Sequence, residues 1–435
     1  MGKWKTMVLR TLVVVTVMSS TVGSMGSVGF YAQQATAAGA TVLTVDYTAN
    51  DNASIADTQH LVAAFHAAYP SITVNLNNIK SSGEAVYDSL VDAQLTAGNG
   101  PDVFLRQPTY GDQYKLIKYH RVLYLNGQPW LSRLPKTALQ GINGKIVGFA
   151  SSQSIESVYY DKIGLKSLGL SIPTTWTQLL SECDSAYAKG HTLVGAGYAD
   201  AWTIPILWEA EMPSIVYGQV PNFDQLRYAD RTTFASNPQF METLQRFADF
   251  TKHHCTDSSA FGTTFVQSLS KFATHKYGLL MEGSWALAQL RQLGMGAELG
   301  MMALPTGTTS VLGGITVQPG GGWYINAATK HRAAALDWEE FWSRPSTQAL
   351  QAQLSKTVPT EPAASKNLDP ALRAVLATFS QHGVAVRPSE WVGWPDGLIP
   401  ALAEACSGIA AGNQSPTRGA QILDRAWNLG VKNLK

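Results

Sequence analysis

The sequence has few charged residues, and the two signs nearly balance. Asp, Glu, Lys and Arg make up 14% of the 435 residues, and the formal net charge is +1. Proteins that bind nucleic acids need clustered Lys and Arg to neutralise phosphates. The balance therefore argues against a nucleic acid as partner and indicates a small or uncharged ligand.

Cysteine is also scarce, with Cys183, Cys255 and Cys406 alone in the chain. An odd number at these spacings implies no disulfide framework, although Cys183 and Cys255 could pair in an oxidising compartment. The "HHC" at 253–255 has no second cluster that would complete a four-ligand zinc site. We therefore expect neither a metal nor a cofactor.

Long apolar runs are missing outside the N-terminal segment. The run "TLVVVTVM" at 11–18 leads to small residues ending in "ATAAGA" at 35–40, and it follows the basic residues Lys3, Lys5 and Arg10. This pattern is typical of a secretory signal, so we predict a signal peptide at 1–38, although the segment could instead remain as an anchor. The rest of the chain has 29 Lys and Arg against 31 Asp and Glu, with no lipid-attachment cysteine near the signal. The protein is expected in the periplasm or on the outer face of the cell membrane.

Strand and helix patterns alternate after the signal. "TVLTVDY" (41–47), "SITVNLNNI" (71–79) and "DVFLR" (102–106) read as strands, with helical apolar spacing between them. Such alternation is typical of a parallel sheet covered by helices. No long linker divides the chain, so we expect two α/β domains connected by several chain crossings.

Five stretches, in this order, match the motifs of one family. They are "GNGPDVFLR" (98–106), "GKIVGFASSQSIESVYYDKIGLKSLGLSIPTTWTQLLSEC" (144–183), "GLLMEGSWAL" (278–287), "GGWYINAATKHRAAALDWEEFWSRPSTQ" (321–348) and "WPDGLIPALAEACSGIAAGNQSPTRGAQILDRA" (394–426). The chain resembles the sugar-type extracellular solute-binding proteins of ABC importers, the maltose-binding-protein-like family 1, over about 41–430. It departs from the family's usual residues at Ala150, Asp161 and Glu282.

The resemblance implies the α/β fold of periplasmic-binding-protein type II, with two lobes, a multi-crossing hinge and the ligand cleft between them. The N-terminal lobe would comprise 40–150 plus about 315–362, and the C-terminal lobe about 151–314 plus 363–435. The implied function is that of a monomeric, non-enzymatic binding component. It would capture a mono- or oligosaccharide by lobe closure and deliver it to the transmembrane subunits of an ABC permease.

Two other functions stay open at this point. The same architecture can bind a polyamine or a phosphorylated polyol, but these ligands require several cleft carboxylates or a basic clamp. A secreted glycoside hydrolase would need two carboxylates flanking the scissile bond. Glu209, Glu211, Glu282 and Glu390 are available, but none stands in a recognisable catalytic motif.

Tryptophans are the candidate sugar-stacking residues, because an indole offers a large apolar plane at low entropic cost. Trp323 follows three glycines that could let a ligand approach the backbone, whereas Trp338 and Trp342 lie four apart on a predicted helix and are expected to pack a core. Three further indoles are expected in the cleft. They are Trp285, which resembles the family's sugar-facing tryptophan, Trp202, which follows a strand, and Trp394, chosen over Trp391 in an irregular stretch.

Polar partners for the ligand hydroxyls are expected in loops that follow strands, because ligands of open α/β sheets bind beyond the carboxyl ends of the strands. Asn, Asp and Ser are also ordinary turn residues, which is the competing interpretation. The predicted cleft residues, besides the tryptophans, are Asp51, Arg106, Tyr110, Gln153 and Gly322.

Overall fold

The computed structural model describes residues 41–80, 84–307, 315–381, 386–388 and 393–434. The predicted signal peptide at 1–38 and Trp391 lie outside the described residues. The strands are β1 (Thr41–Tyr47), β2 (Ile72–Asn78), β3 (Val103–Arg106), β4 (Leu139–Ile142), β5 (Lys145–Phe149), β6 (Ser152–Asp161), β7 (Val194–Gly195), β8 (Leu279–Gly283), β9 (Leu299–Met302), β10 (Ile315–Pro319), β11 (Gly322–Ile325), β12 (Val358–Pro359) and β13 (Val386–Pro388).

Helices cover both faces of the sheets. They are α1 (Asn52–Ala68), α2 (Glu84–Ala97), α3 (Tyr110–Lys118), α4 (Lys162–Leu168), α5 (Trp176–Ala188), α6 (Ile206–Ile215), α7 (Phe223–Tyr228), α8 (Pro238–Lys252), α9 (Phe265–Ala273), α10 (Leu287–Gln292), α11 (Arg332–Trp342), α12 (Pro345–Ser355), α13 (Pro370–Gln381), α14 (Leu398–Ala410) and α15 (Pro416–Asn433). Short 3-10 turns lie at Pro129–Arg133, Lys136–Ala138, Ala201–Thr203, Ser258–Gly262, Ser284–Ala286 and Pro362–Asn367. None of the helices in the described part of the chain is long and apolar enough to span a membrane.

The strands form two main sheets. The first has the order β11–β3–β1–β2, in which β1 is parallel to β2 and β3, and β11 is antiparallel to β3. The second has the order β13–β10–β6–β8–β7, with β9 and β12 also paired to β6. Each sheet is sandwiched by buried apolar side chains on both faces, which accounts for the helices that cover them.

Three chain segments pass between the two sheets side by side. The backbone N–H of Gly320, at the end of β10, donates to the carbonyl of Ser152 over 2.9 Å. Thr360, just after β12, donates from its Oγ1 to the carbonyl of Ala150 over 2.9 Å. The passes at about 150–153, 319–322 and 357–360 therefore form one hydrogen-bonded bundle.

Sheet membership corrects one predicted boundary. Residues of β10 were expected in the N-terminal lobe from about 315, but Val317 pairs with Ile155 of β6 in the second sheet. The chain therefore returns to the first sheet at Gly320–Gly322, after β10 instead of before it. The local pattern of β10 contains nothing that distinguishes these two sheets, which is why the sequence placed it wrongly. The remaining lobe boundaries stay a prediction.

Two buried glutamates lie between the second sheet and α6. Glu209 on α6 hydrogen bonds through its carboxyl to Glu156 of β6. Both side chains are buried, and burial raises the pKa of Glu209 from its ordinary value of 4.5 to about 7. The folded chain thus holds a proton that the unfolded chain releases at lower pH.

This raised pKa predicts that stability falls as the pH rises. At pH values below about 4.5 Glu209 is protonated in both states, and towards pH 7 only the folded chain keeps the proton. We expect the free energy of unfolding to fall by up to about 3 kcal/mol between about pH 5 and pH 8 from this group, and Glu209→Gln to lose that part of the fall. Urea unfolding of both proteins across this range measures the difference. Parallel pH profiles for the two proteins would contradict the prediction.

Candidate functional site

Trp285 lies immediately beyond the carboxyl end of β8, on the 3-10 turn Ser284–Ala286. Gly283 allows this placement, because a Cβ there would lie 2.0 Å from the Cζ3 atom of the indole. The indole Nε1 donates a hydrogen bond to Oε2 of Glu282 over 3.1 Å. The ring of Trp285 is therefore held flat against the backbone, with its N–H engaged by protein and its side chain half-buried.

Trp202 lies on the neighbouring loop, beyond the carboxyl end of β7. The turn that carries it is fixed by Thr203, whose Oγ1 donates to the carbonyls of Gly197 and Asp200. The ring centroid of Trp202 is 5.1 Å from that of Phe265 and 6.1 Å from that of Trp285, with 61° between the two indole planes. Trp202 remains 38% exposed. We call Trp202 and Trp285 the indole pair.

The carboxyl beside the indole pair, that of Glu282, is shifted towards its neutral form. Glu282 is buried, and this burial raises its pKa well above its ordinary value. It lines a small cavity beneath the pair together with Tyr198, Thr203 and Ile204. The carboxyl of Glu282 therefore supplies hydrogen-bonding atoms near the indole pair without a negative charge.

The loop that follows β1 lies across from this region. Asp51 caps α1 by accepting a hydrogen bond from Ser54 N over 2.8 Å, which leaves its side chain half-buried. The first turn of α1 contacts α10, where Ala53 N donates to Oε1 of Gln289 over 3.3 Å. Because α10 follows the turn that carries Trp285, the start of α1 contacts the element next to the indole pair; that the loop after β1 and the indole pair border one cleft stays a prediction.

Tyr110 and Gln153 lie at other parts of this boundary. Tyr110 begins α3, after β3, and its ring centroid is 6.5 Å from that of Tyr228 on α7. Gln153 is half-buried on β6, within the bundle of crossings, where it pairs with Pro319 and Val358. Ligand contact by Asp51, Tyr110 and Gln153 stays a prediction.

The described residues contain no group of three or more His, Cys, Asp or Glu side chains placed to hold a metal ion. The "HHC" histidines are engaged elsewhere. His253 Nδ1 lies 2.8 Å from Oδ2 of Asp184, and the His254 ring stacks on Tyr187. Cys255 forms a disulfide with Cys183, and Cys406 is a buried free thiol.

A family model described as bacterial extracellular solute-binding protein matches residues 60–374 of this chain. The chain belongs to that family. The predicted recognition is therefore confirmed, and with it a place outside the cytoplasm.

Individual relatives agree with this assignment. The chain is 22% identical over 355 residues to the multiple sugar-binding protein of Streptococcus mutans serotype c (strain ATCC 700610 / UA159), covering 81% of this chain and 82% of that protein. A solved chitin oligosaccharide binding protein is similar with 17% identity and a TM-score of 0.77, covering 90% of this chain and 99% of that one. The solute-binding protein RafE in complex with raffinose has 19% identity and a TM-score of 0.73, covering 89% and 100%. These likenesses confirm the predicted two-lobed α/β fold.

The prediction for Trp323 in this solute-binding protein is wrong. Trp323 lies within β11, is 7% exposed, and its ring centroid is 5.2 Å from that of Trp338 and 5.4 Å from that of Trp342. It belongs to the same core as the helical pair, whose predicted core position is confirmed. The glycines before it belong to a chain crossing, so Trp323 is already inside the next strand.

Gly322 is also not a point of ligand approach. Gly322 pairs with Arg106 in the first sheet, and a Cβ there would lie 2.1 Å from Oε1 of Gln140. At Gly320 a Cβ would lie 2.7 Å from the carbonyl oxygen of Ser152. The glycine run does mark a close approach, but the approaching groups are protein segments.

The predictions of Trp394 and Arg106 as cleft residues are also wrong, because both side chains are buried against protein partners. Trp394 is 1% exposed, packs against Trp208 and Phe234, and donates from Nε1 to Oδ1 of Asp224 over 3.1 Å. The Arg106 side chain is 0% exposed and forms ion pairs with Asp88 and Asp92. Both side chains satisfy partners inside one lobe, so neither clamps a ligand.

Several residues of the site were not predicted from the sequence. Phe265 supports Trp202, and Gln289 joins α10 to α1. Thr264 and Gln267 form a capping box, a sequence signal that fixes Phe265 at a helix start, but the loop that it faces is not readable locally. Asp88 and Asp92 lie four apart on α2, and this spacing could have indicated a buried cation such as Arg106.

Truncation of Trp323 should affect stability and not binding. We expect Trp323→Ala to lower the free energy of unfolding by about 3–5 kcal/mol, because it leaves a cavity in a core of three indoles. The ligand affinity of the folded variant should equal that of the unchanged protein. Denaturant unfolding and calorimetric titration measure the two quantities. If Trp323→Ala keeps its full stability but loses ligand affinity, the core placement of Trp323 is contradicted and ligand contact is indicated.

Proposed function

We propose that this chain is the extracytoplasmic carbohydrate-binding component of an ABC importer. In this proposal it captures a mono- or oligosaccharide between its lobes and delivers it to the transmembrane subunits of a permease. It acts as a monomer and needs no cofactor. The observation that carries the proposal is the indole pair, two adjacent tryptophans beyond the carboxyl ends of β7 and β8.

The geometry of the pair suits sugar rings. A pyranose has faces of C–H groups, which pack well on aromatic planes, and a rim of hydroxyls that need hydrogen-bond partners. The indole N–H of Trp285 is taken by Glu282, so this residue offers its face and not its donor. The names of the relatives, which include a multiple sugar-binding protein and complexes with oligosaccharides, support the same ligand class.

The charges near the pair favour a neutral ligand over a polyamine. Burial keeps Glu282 protonated, and Asp200 Oδ2 accepts a hydrogen bond from Phe265 N over 2.7 Å. A polyamine would require ionised carboxylates that are free to face it. Of these two carboxyls, burial favours the neutral form of Glu282, and Asp200 is engaged by a backbone N–H.

A phosphorylated polyol is disfavoured by the position of the expected cation. Arg106 was the candidate for a basic clamp, and its guanidinium is buried against Asp88 and Asp92. A phosphate in the cleft would therefore lack this charge-assisted partner. The hydrolase alternative is disfavoured by the family, which consists of binding proteins.

Closure follows from the position of the two walls. The loop after β1 comes from the first sheet and the indole pair from the second, so in this proposal one ligand bridges the two lobes. A ligand that binds the closed form more tightly shifts the population towards it. The bundled crossings at about 150–153, 319–322 and 357–360 form the hinge in this proposal.

A ligand screen tests the proposed class. We expect mono- or oligosaccharides to raise the melting temperature, because a ligand that binds only the folded state stabilises it. Trp285→Ala and Trp202→Ala should each weaken the affinity by about tenfold, equal to about 1.4 kcal/mol. The matched control is Tyr119→Ala, which removes a 62% exposed aromatic ring outside the indole pair.

The same screen includes a polyamine, a phosphorylated polyol and a search for cleavage products. Stabilisation by either charged compound, with none by sugars, would replace the proposed ligand class. Shortened oligosaccharide products would indicate a hydrolase.

Lobe closure is tested by small-angle X-ray scattering. We expect the radius of gyration to decrease when a saturating sugar identified by the screen is added, because the ligand joins the two lobes. Trp285→Ala at the same sugar concentration should show a smaller decrease, since fewer molecules are occupied. An unchanged radius with a tightly bound sugar would contradict the closure mechanism.

A further inference from the structure

The Cys183–Cys255 disulfide joins α5 to the segment that follows α8. Both cysteines are fully buried. Two other contacts hold the same junction, because His253 bonds Asp184 and the His254 ring lies 3.8 Å from the Tyr187 ring. Three successive residues, 253–255, are thus attached to one helix. The junction does not depend on the disulfide alone, so α5 and α8 can stay together without it.

The chain from Cys255 to Phe265, here called the support segment, begins at the disulfide and runs beside the chain that leads to Trp202. At its start the carbonyl of Cys255 accepts a hydrogen bond from Val194 N, on β7, over 3.0 Å. Next, Thr192 Oγ1 donates to Oδ2 of Asp257 over 3.0 Å. The start of the support segment is therefore attached to β7 and to the residues just before it.

At its far end the support segment reaches the indole pair. The carbonyl of Thr263 accepts from Ala199 N over 3.0 Å, and Phe265 N donates to Asp200 Oδ2. The ring of Phe265 then lies against Trp202. Phe265, the last residue of the support segment, therefore supports one side of the partly exposed Trp202 ring. The support segment begins at the disulfide.

Before α9 begins, the support segment contains neither a strand nor an α-helix. Its regular structure is one 3-10 turn, Ser258–Gly262. Short segments with few internal hydrogen bonds move locally unless their ends are fixed. The disulfide fixes Cys255 itself at the first end, next to the contacts of His253 and His254, and the start of α9 fixes the other end.

We infer that the Cys183–Cys255 disulfide positions Trp202 for ligand binding, a role that rests on the proposed carbohydrate site. The disulfide acts through the support segment and Phe265, and it does not touch the ligand. Its loss leaves the lobe folded and lets Trp202 leave its place beside Trp285. The oxidised chain then binds sugar more tightly than the same chain without the disulfide.

The test compares Cys183→Ala/Cys255→Ala with the unchanged protein, using a sugar that the thermal-shift screen has identified. Calorimetric affinity is measured at a temperature at which both proteins are folded by circular dichroism. We expect the double variant to bind about tenfold more weakly, as Trp202→Ala does. The matched control is Cys406→Ala, which removes a buried thiol of the same lobe and should leave the affinity unchanged.

A double-mutant cycle separates positioning from general destabilisation. In a Trp202→Ala background, removal of the disulfide should cost no further affinity, because the side chain that it positions is gone. In a Trp285→Ala background the further loss should remain. Equal further losses in the two backgrounds, or an unchanged affinity in the folded double variant, would overturn the inference.

Reduction of the folded, purified chain gives a second route to the same comparison. A dithiol supplies two electrons and two protons, which leaves two cysteine thiols and a cyclic disulfide of the reagent. The reduced protein should match the double variant in affinity. If both the variant and the reduced protein unfold, the disulfide stabilises the whole fold instead of positioning Trp202, and the inference fails. If the unchanged oxidised protein binds no sugar at all, the proposed function fails first.

Discussion

The structure depends on three chain passes that lie side by side and bond one another by their backbones. Ser152, Gly320 and Thr360 come from distant parts of the chain, yet Gly320 bonds Ser152 and Thr360 bonds the adjacent Ser151. This bundle fixes where the first sheet ends and the second begins. It also requires a residue without a side chain at Gly320, because a Cβ would collide with the Ser152 carbonyl. Everything at the cleft, from the loop after β1 to the indole pair, is placed relative to these passes.

The same constraint explains which tryptophans could be assigned from the sequence. Trp285 and Trp323 both lie within two residues after a glycine at the boundary of a strand. Gly283 ends β8, so Trp285 lies beyond the strand, whereas Gly322 begins β11, so Trp323 lies inside it. A glycine-tryptophan pattern contains no information about which side of the strand the glycine occupies. The fold class and the family followed from the motifs that resemble the solute-binding proteins, and Trp202 lies beyond the strand that it was predicted to follow. Ligand contact by the indole pair stays a prediction. The assignment of β10 and Trp323 depended on pairings between residues far apart in the chain.

Partners elsewhere in the chain also determine where the side chains of Trp394 and Arg106 lie. The indole N–H of Trp394 bonds Asp224, 170 residues away along the chain. Arg106 is closer to its acidic partners, and Asp88 and Asp92 share a helix face that sequence spacing does indicate. A charged residue after a strand is therefore ambiguous until the nearby helices are searched for opposite charges. In this chain such a search would have assigned Arg106 to an internal ion cluster and removed it from the predicted cleft residues.

The neutrality of the cleft is a consequence of burial and pairing, not of composition alone. Burial raises the pKa of Glu282 and so favours its neutral form, and Asp200 accepts a hydrogen bond from Phe265 N. Arg106 is neutralised by acids within the first lobe. An ion brought into this region would lose its hydration without gaining an opposite charge, which is costly. A carbohydrate exchanges hydroxyl–water bonds for hydroxyl–protein bonds and places its C–H faces on indole planes. Under the proposed function, the burial and pairing of the protein's own charges therefore select against ionic solutes.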